Sequence, residues 1–260
     1  MSTEAAAWEL ALLAAVSGAV GVLGGLVGLA LGTMRLPVLL LLGFGAPVAG
    51  GTNILVSTLS AATGSMRHVR AGRVDWRVVA YMGVPAVAGA FTGGIYADQV
   101  DESLLIGAVG VLVFWQGVEF LISAKLARLN VPHGAKRVTW RRGSAEAGIG
   151  ASVGALGGAV GLILGSIRLP AMIRILNIEP RIAAGTNLVV GFFLGTAGFV
   201  GHGLRGEIDV PLLLAMGSTA MVGSWYGARL TGRVQVDTLV KLIGGVLLVV
   251  GAILVGRAVI

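Results

Sequence analysis

Apolar residues run along this chain in membrane-length stretches, at about 8–33, 37–66, 76–97 and 103–124. They recur at about 145–167, 170–200, 210–230 and 238–258. One bilayer crossing by a helix takes roughly 20 residues, so the pattern predicts eight membrane helices. The second stretch of each half is too long for one straight crossing. Gly43-Phe44-Gly45-Ala46-Pro47 and Glu179-Pro180 interrupt these stretches, and Gly and Pro punctuate helices. The expected division is a short or re-entrant segment over about 37–46, then a full helix from about 48.

The two halves share more than their apolar pattern. Residues 20–37 read VGVLGGLVGLALGTMRLP and residues 153–170 read VGALGGAVGLILGSIRLP. Gly51-Thr52-Asn53 recurs as Gly185-Thr186-Asn187, and His68, Gly72 and Asp75 recur as His202, Gly206 and Asp209. Such self-similarity marks an internal repeat. The expected fold class is an all-α polytopic membrane protein with about eight transmembrane helices. These form two homologous four-helix repeats, each with a broken or re-entrant Gly/Pro segment. The boundaries are a first repeat over 1–124, a basic cytoplasmic linker over 125–144 and a second repeat over 145–260.

Composition agrees with the pattern. Apolar residues make up 56% of the chain and charged residues 12%, about half the usual share in a soluble domain. Mean hydropathy is +0.92. The 43 glycines fit membrane helices, where Gly is common. No cysteine is present, which excludes disulfides, thiol nucleophiles and cysteine-based metal sites. The opening MSTEAAAWEL lacks a basic residue and a small-residue cleavage site, so the first stretch reads as a retained helix rather than a signal peptide.

Net charge is +7, and its placement points to membrane orientation rather than nucleic acid. Arg67, Arg70, Arg73 and Arg77 follow the second stretch, and Lys125, Arg128, Lys136, Arg137, Arg141 and Arg142 fill the central loop. Asp98, Asp101 and Glu102 lie between the third and fourth stretches. The positive-inside rule then puts the basic loops in the cytoplasm and the acidic loop outside. With eight crossings, both termini are expected in the cytoplasm of a plasma-membrane protein. The two repeats would run parallel, about an axis along the membrane normal. Arg229, Arg233 and Lys241 fit this scheme poorly, because it puts them outside.

Arg35 and Arg168 sit two residues before Pro37 and Pro170 in apolar surroundings. An ionisable residue in a membrane costs a few kcal/mol and usually faces a cavity, a partner or a pathway. Arginine stays charged there and presents a planar fork of donors suited to oxyanions. Helix breaks at Pro37 and Pro170 would add free backbone N–H groups, which favour anions. Thr52, Asn53, Thr186 and Asn187 are candidate hydrogen-bond donors to the same ligand or ties between helices. Gly32 and Gly165 belong to four-residue glycine series (Gly24, Gly28, Gly32; Gly157, Gly161, Gly165) that bare one helix face to a close backbone.

His68, His202 and Glu119 are candidate proton carriers. The histidines also read as interface loop residues, and Glu119 as a partner of Lys125. Two histidines without clustered carboxylates make no metal site. Gly201-His202-Gly203-Leu204-Arg205-Gly206 matches a dinucleotide fingerprint but follows a membrane helix instead of a strand. Gly150-Ala151-Ser152-Val153-Gly154 matches a nucleophile elbow, which would make an intramembrane serine hydrolase with His202. The repeat places Ala19 opposite Ser152, however, and no catalytic residue is assigned.

The duplicated Gly-rich helix ending in proline, the Gly-Thr-Asn helix and the Gly72-to-Asp75 and Gly206-to-Asp209 stretches resemble the TauE/SafE sulfite exporter family over nearly the whole chain. The resemblance implies a membrane transporter, in many cases an exporter, of sulfite, thiosulfate, sulfoacetate or related anions. It assigns the substrate region to Gly28 through Pro37 and Gly161 through Pro170. Two features depart from the family pattern. Ala30-Leu31-Gly32 and Ile163-Leu164-Gly165 stand where the family has three glycines, and Arg35 and Arg168 where it has apolar residues. The expected partners are a small anion and the lipid bilayer, with no nucleic acid and no cofactor. A homo-oligomer is left open, and an anion channel is the alternative to a carrier.

Overall fold

The computed structural model describes residues 6–27, 29–126, 140–230 and 237–259. Gly28, Arg128, Lys136, Arg137, Arg233 and most of the expected linker lie outside the described residues. The described chain is helical. The first half comprises α1 (Ala7–Val27), α2 (Gly32–Leu41), α3 (Ala46–Arg70), α4 (Trp76–Val78), α5 (Val84–Ile95) and α6 (Glu102–Leu126). A π-helical turn, Val79–Gly83, makes α4 and α5 one continuous rod. The second half comprises α7 (Trp140–Val160), α8 (Gly165–Arg174), α9 (Pro180–Gly203), α10 (Val210–Leu230) and α11 (Asp237–Val259). Ala7–Val27, Trp76–Ile95, Glu102–Ile122, Pro180–Gly203 and Lys241–Ala258 are long and apolar enough to cross a membrane. With the match described below, this makes a multi-pass membrane protein.

The break in each half falls earlier than the sequence predicts. Pro37 lies inside α2 and Pro170 inside α8, so neither proline ends a helix. The interruption lies upstream, where α7 stops at Val160 and Gly161 turns left-handed with φ 70°. Leu162 N–H then closes on Gly157 O at 2.7 Å, the glycine-capped ending common to helices. In the first half Leu29 N–H closes on Gly24 O in the same way. Non-helical chain over residues 29–31 and 161–164 leads into α2 and α8.

These breaks turn the chain around. Arg35 reaches back to Ser17, so α2 returns along α1 toward the end where α1 started. The backbone O of Leu40 accepts from Arg257 near the finish of α11. Each half therefore makes five passages through the bundle, four by long helices and one by a non-helical strand plus a ten-residue helix.

Five is odd, and the direction of the second half follows from it. Gly51 packs on His202 and Gly185 on His68, so α3 and α9 run antiparallel. Gly107 faces Ala258 and Gly117 faces Gly244, so α6 and α11 do too. The expected parallel arrangement is corrected: equivalent helices point in opposite directions.

Each half also builds the wall of the other. A side chain at Gly21 or Gly25 would strike the backbone of Ala220 or Ser224 on α10. One at Gly154 or Gly158 would strike Ala86 or Ala90 on α5. Gly21 and Gly25 thus serve close packing of α1 on α10, and Gly154 and Gly158 that of α7 on α5, both pairs parallel. The expected series does not bare one helix face, since Gly24 and Gly157 meet Leu29 and Leu162 of their own hairpins and Gly161 lies beyond the end of α7. The polar helices α3 and α9 sit at the centre, with Thr52, Asn53, Ser57, Thr186, Asn187 and His202 buried.

Charge separates by end. Thr63, Arg67, Arg70, Trp225 and Arg229 line one cavity of about 310 Å³, so Arg229 shares an end with Arg67 and Arg70. Arg73, Arg77, Arg174 and Arg181 join them at the finish of α3, the start of α4, the finish of α8 and the start of α9. The opposite end holds Glu9, Asp98, Asp101, Glu102, Glu207 and Asp209, with Arg205 ion-paired to Asp98 at 2.7 Å. Ala7 lies at this acidic end and not, as expected, with the basic loops.

Gly154→Val places a branched side chain against the backbone of α5, and overpacking costs about 1–3 kcal/mol or more. Gly245→Val enters open space, with nothing within 4 Å of its Cβ. Thermal unfolding in detergent should show a clear loss for the first and little change for the second.

Candidate anion site

α2 and α8 begin at the turn of each hairpin, and their first turns carry Arg35 and Arg168. Both side chains are 0% exposed. Among the described residues no carboxylate lies within 4 Å of either guanidinium. Arg35 donates from Nη1 to Ser17 Oγ at 3.4 Å and from Nη2 to Ser57 Oγ at 3.1 Å. Arg168 donates from Nε to Asn187 Oδ1 at 3.2 Å, while its Nη1 and Nη2 have no hydrogen-bond partner. The two arginines share no hydrogen-bond partner, so each sits in its own setting beside α3 or α9.

Gly32 and Gly165 let those central helices come close. A Cβ at Gly32 would lie 2.9 Å from Asn53 Nδ2, and one at Gly165 would lie 2.7 Å from Asn187 Nδ2. Asn53 donates Nδ2–H to Gly161 O at 2.9 Å, which ties α3 to the tip of the second hairpin, and its Oδ1 is unpartnered. Both asparagines therefore stand beside the breaks.

The threonines do something else. Thr52 Oγ1 accepts from Asp209 N–H and Thr186 Oγ1 accepts from Asp75 N–H, both at 2.9 Å. Asp75 Oδ1 in turn accepts from Arg77 and Val78 N–H, and Asp209 Oδ1 from Leu212 N–H. These aspartates are helix N-caps. Gly72 and Gly206, with φ 66° and 72°, end the preceding helices. The repeated Gly-to-Asp stretch is thus a helix stop followed by a helix start, buckled to the other half through a threonine.

His202 Nε2–H donates to Gly158 O at 2.8 Å, and its Nδ1 lies 2.6 Å from Glu207 Oε2. His68 is buried with Nδ1 unpartnered. Glu119 pairs with Arg174 at 3.1 Å, because α8 returns alongside α6; the side chain of the expected partner Lys125 lies outside the described residues. Glu119 and Arg174 line a groove of about 550 Å³ with Ser152, Ser166 and Pro170. Arg168 is not part of that lining, so the groove follows the other flank of α8. Ser152 is there without His202, whose ring nitrogens are engaged elsewhere.

Sequence reasoning missed Ser17 and Ser57, the partners of Arg35. Neither recurs in the second half, where Gly150 and Gly191 hold the equivalent positions, so the search for repeated residues passed over them.

The chain is similar to three proteins of Bacillus subtilis (strain 168), each called a probable membrane transporter protein. YunE is 24% identical over 254 residues, covering 90% of this chain and 93% of YunE. YjnA is 24% identical over 239 residues, covering 89% and 94%. YdhB is 25% identical over 195 residues, covering 74% and 79%. No solved structure matches the chain. The sulfite exporter TauE/SafE family matches residues 13–254, nearly the whole bundle and both arginine-bearing hairpins, and the chain belongs to that family of membrane transporters.

Proposed function

We propose that this protein carries a small oxyanion, of the sulfite, thiosulfate or sulfonate type, across the plasma membrane. The observation that supports this reading is the pair of fully buried guanidinium groups with no carboxylate in range among the described residues. A buried charge without a counter-charge is costly, and a bound anion offsets that cost. The start of a helix adds positive potential at the same place. The family name gives the sulfur chemistry, and the arginine fork suits two oxygens held on one atom.

Inverted halves give a route for alternating access, in which the two hairpins exchange roles on opposite sides of the bundle. Carriers with inverted repeats work in this manner, with the site near the midplane at broken helices. The positive-inside rule places the arginine-rich end in the cytoplasm. Ten passages then leave the Ala7 end of α1 and the Val259 end of α11 outside.

The absence of cysteine makes the orientation directly testable. Ala7→Cys and Ser103→Cys should react with a membrane-impermeant maleimide in intact cells, and Ala71→Cys only after permeabilisation. Labelling of Ala7→Cys together with Ala71→Cys would overturn the five-passage halves. For function, thiosulfate should raise the unfolding temperature of the purified protein, since a ligand of the folded state stabilises it by mass action. Arg168→Ala should abolish that rise, and Arg205→Ala, on the acidic face, should leave it intact. Equal responses of the two variants would remove the buried arginine from the site.

A further inference from the structure

Resting on the anion-carrier reading, we infer that the two arginines have different roles. Arg168 alone offers its Nη1/Nη2 edge to a two-oxygen anion, and Arg35 is held by protein hydroxyls. The repeat makes the two directly comparable. Ser17 and Ser57, which accept from Arg35 Nη1 and Nη2, are replaced at the equivalent positions by Gly150 and Gly191. Only Gly191 lies against the second hairpin. A Cβ at Gly150 would meet the Met82 backbone, so the π-helical turn ahead of α5 fills that place. A Cβ at Gly191 would lie 3.5 Å from Arg168 Nη2 and 3.1 Å from Ile163 Cγ2.

Orientation differs as well. Asn187 Oδ1 takes the Nε–H of Arg168, which fixes the plane of the guanidinium and leaves the far edge bare. In the first half the equivalent bond is not made: Arg35 Nε and Asn53 Oδ1 are both unpartnered. A guanidinium has five N–H donors, and Arg168 spends one. Its remaining four are on Nη1 and Nη2, neither of which has a partner. The two roughly parallel N–H bonds of that edge fit two oxygens carried by one atom, as in a sulfonate, thiosulfate or carboxylate. A spherical halide cannot meet both in the same way. The ligand class is therefore a bidentate oxyanion, and Gly191 sets the site's selectivity by withholding the hydroxyl that Ser57 supplies to Arg35.

The test grafts that hydroxyl onto the second half. Gly191→Ser puts Oγ within reach of Arg168 Nη2, and Gly191→Ala adds the bulk without the acceptor. Thermal-shift titrations of the purified full-length protein with thiosulfate, sulfate and chloride give an apparent affinity for each variant. We expect oxyanion shifts in the parent protein and in Gly191→Ala, with none for chloride. Affinity should be at least about tenfold weaker in Gly191→Ser and lost in Arg168→Ala. Ser57→Gly, which strips Arg35 of a partner while keeping its charge, should match the parent.

Unchanged affinity in Gly191→Ser, a chloride response equal to that of thiosulfate, or loss of the response in Ser57→Gly would overturn the inference and leave the carrier reading standing. No shift with any oxyanion in folded parent protein would overturn both.

Discussion

Backbone-to-backbone contact between helices of opposite halves is the constraint on which this structure depends. Gly21 and Gly25 lie directly on α10, and Gly154 and Gly158 on α5. Any larger residue would push the pairs apart. Within lipid, helix association draws on packing and hydrogen bonds more than on apolar burial, so the closeness of these approaches is itself a source of stability. Because the first long helix of each half packs on a helix of the other, neither half completes a bundle alone. The hairpins that carry Arg35 and Arg168 are held between them.

The conserved-looking polar residues of the repeat divide into two groups once their partners are known. Thr52 with Asp209, and Thr186 with Asp75, fasten the start of a helix in one half to a central helix in the other. Asn53 and Asn187 instead face the openings in the hairpins, one bound to the Gly161 carbonyl and the other to Arg168. Within the motif, adjacent residues thus do unrelated work, because successive helix positions point about a hundred degrees apart.

The arginines make the repeat uneven in its hydrogen bonding. Duplication supplies two copies of one fork, and the surroundings then differ: two serines accept from Nη1 and Nη2 of Arg35, while glycines at the equivalent positions leave Nη1 and Nη2 of Arg168 without a partner. The ends of the bundle differ as well: Arg67, Arg70, Arg73, Arg77, Arg174, Arg181 and Arg229 gather at one, where Arg77 pairs with Glu146 and Arg174 with Glu119, and Asp98, Asp101, Glu102, Glu207 and Asp209 lie at the other.

The sequence by itself determined the class, the helices, the duplication and the residue types that carry charge into the interior, since all of these follow from apolar run lengths and direct repetition. It also put Arg35, Arg168, Asn53 and Asn187 in one neighbourhood of each repeat. It misplaced the helix break, because Pro37 and Pro170 looked like stops, whereas the glycine-capped turn at Gly161 ends the helix and proline is tolerated inside α2 and α8. That single shift turned four passages into five, reversed the second half and moved Ala7 to the acidic end. It also resolved the awkward position of Arg229. Only the tertiary structure decided which donors remained free, because a hydrogen-bond partner such as Ser17 or Ser57 is set by three-dimensional approach and leaves no periodic mark in the chain.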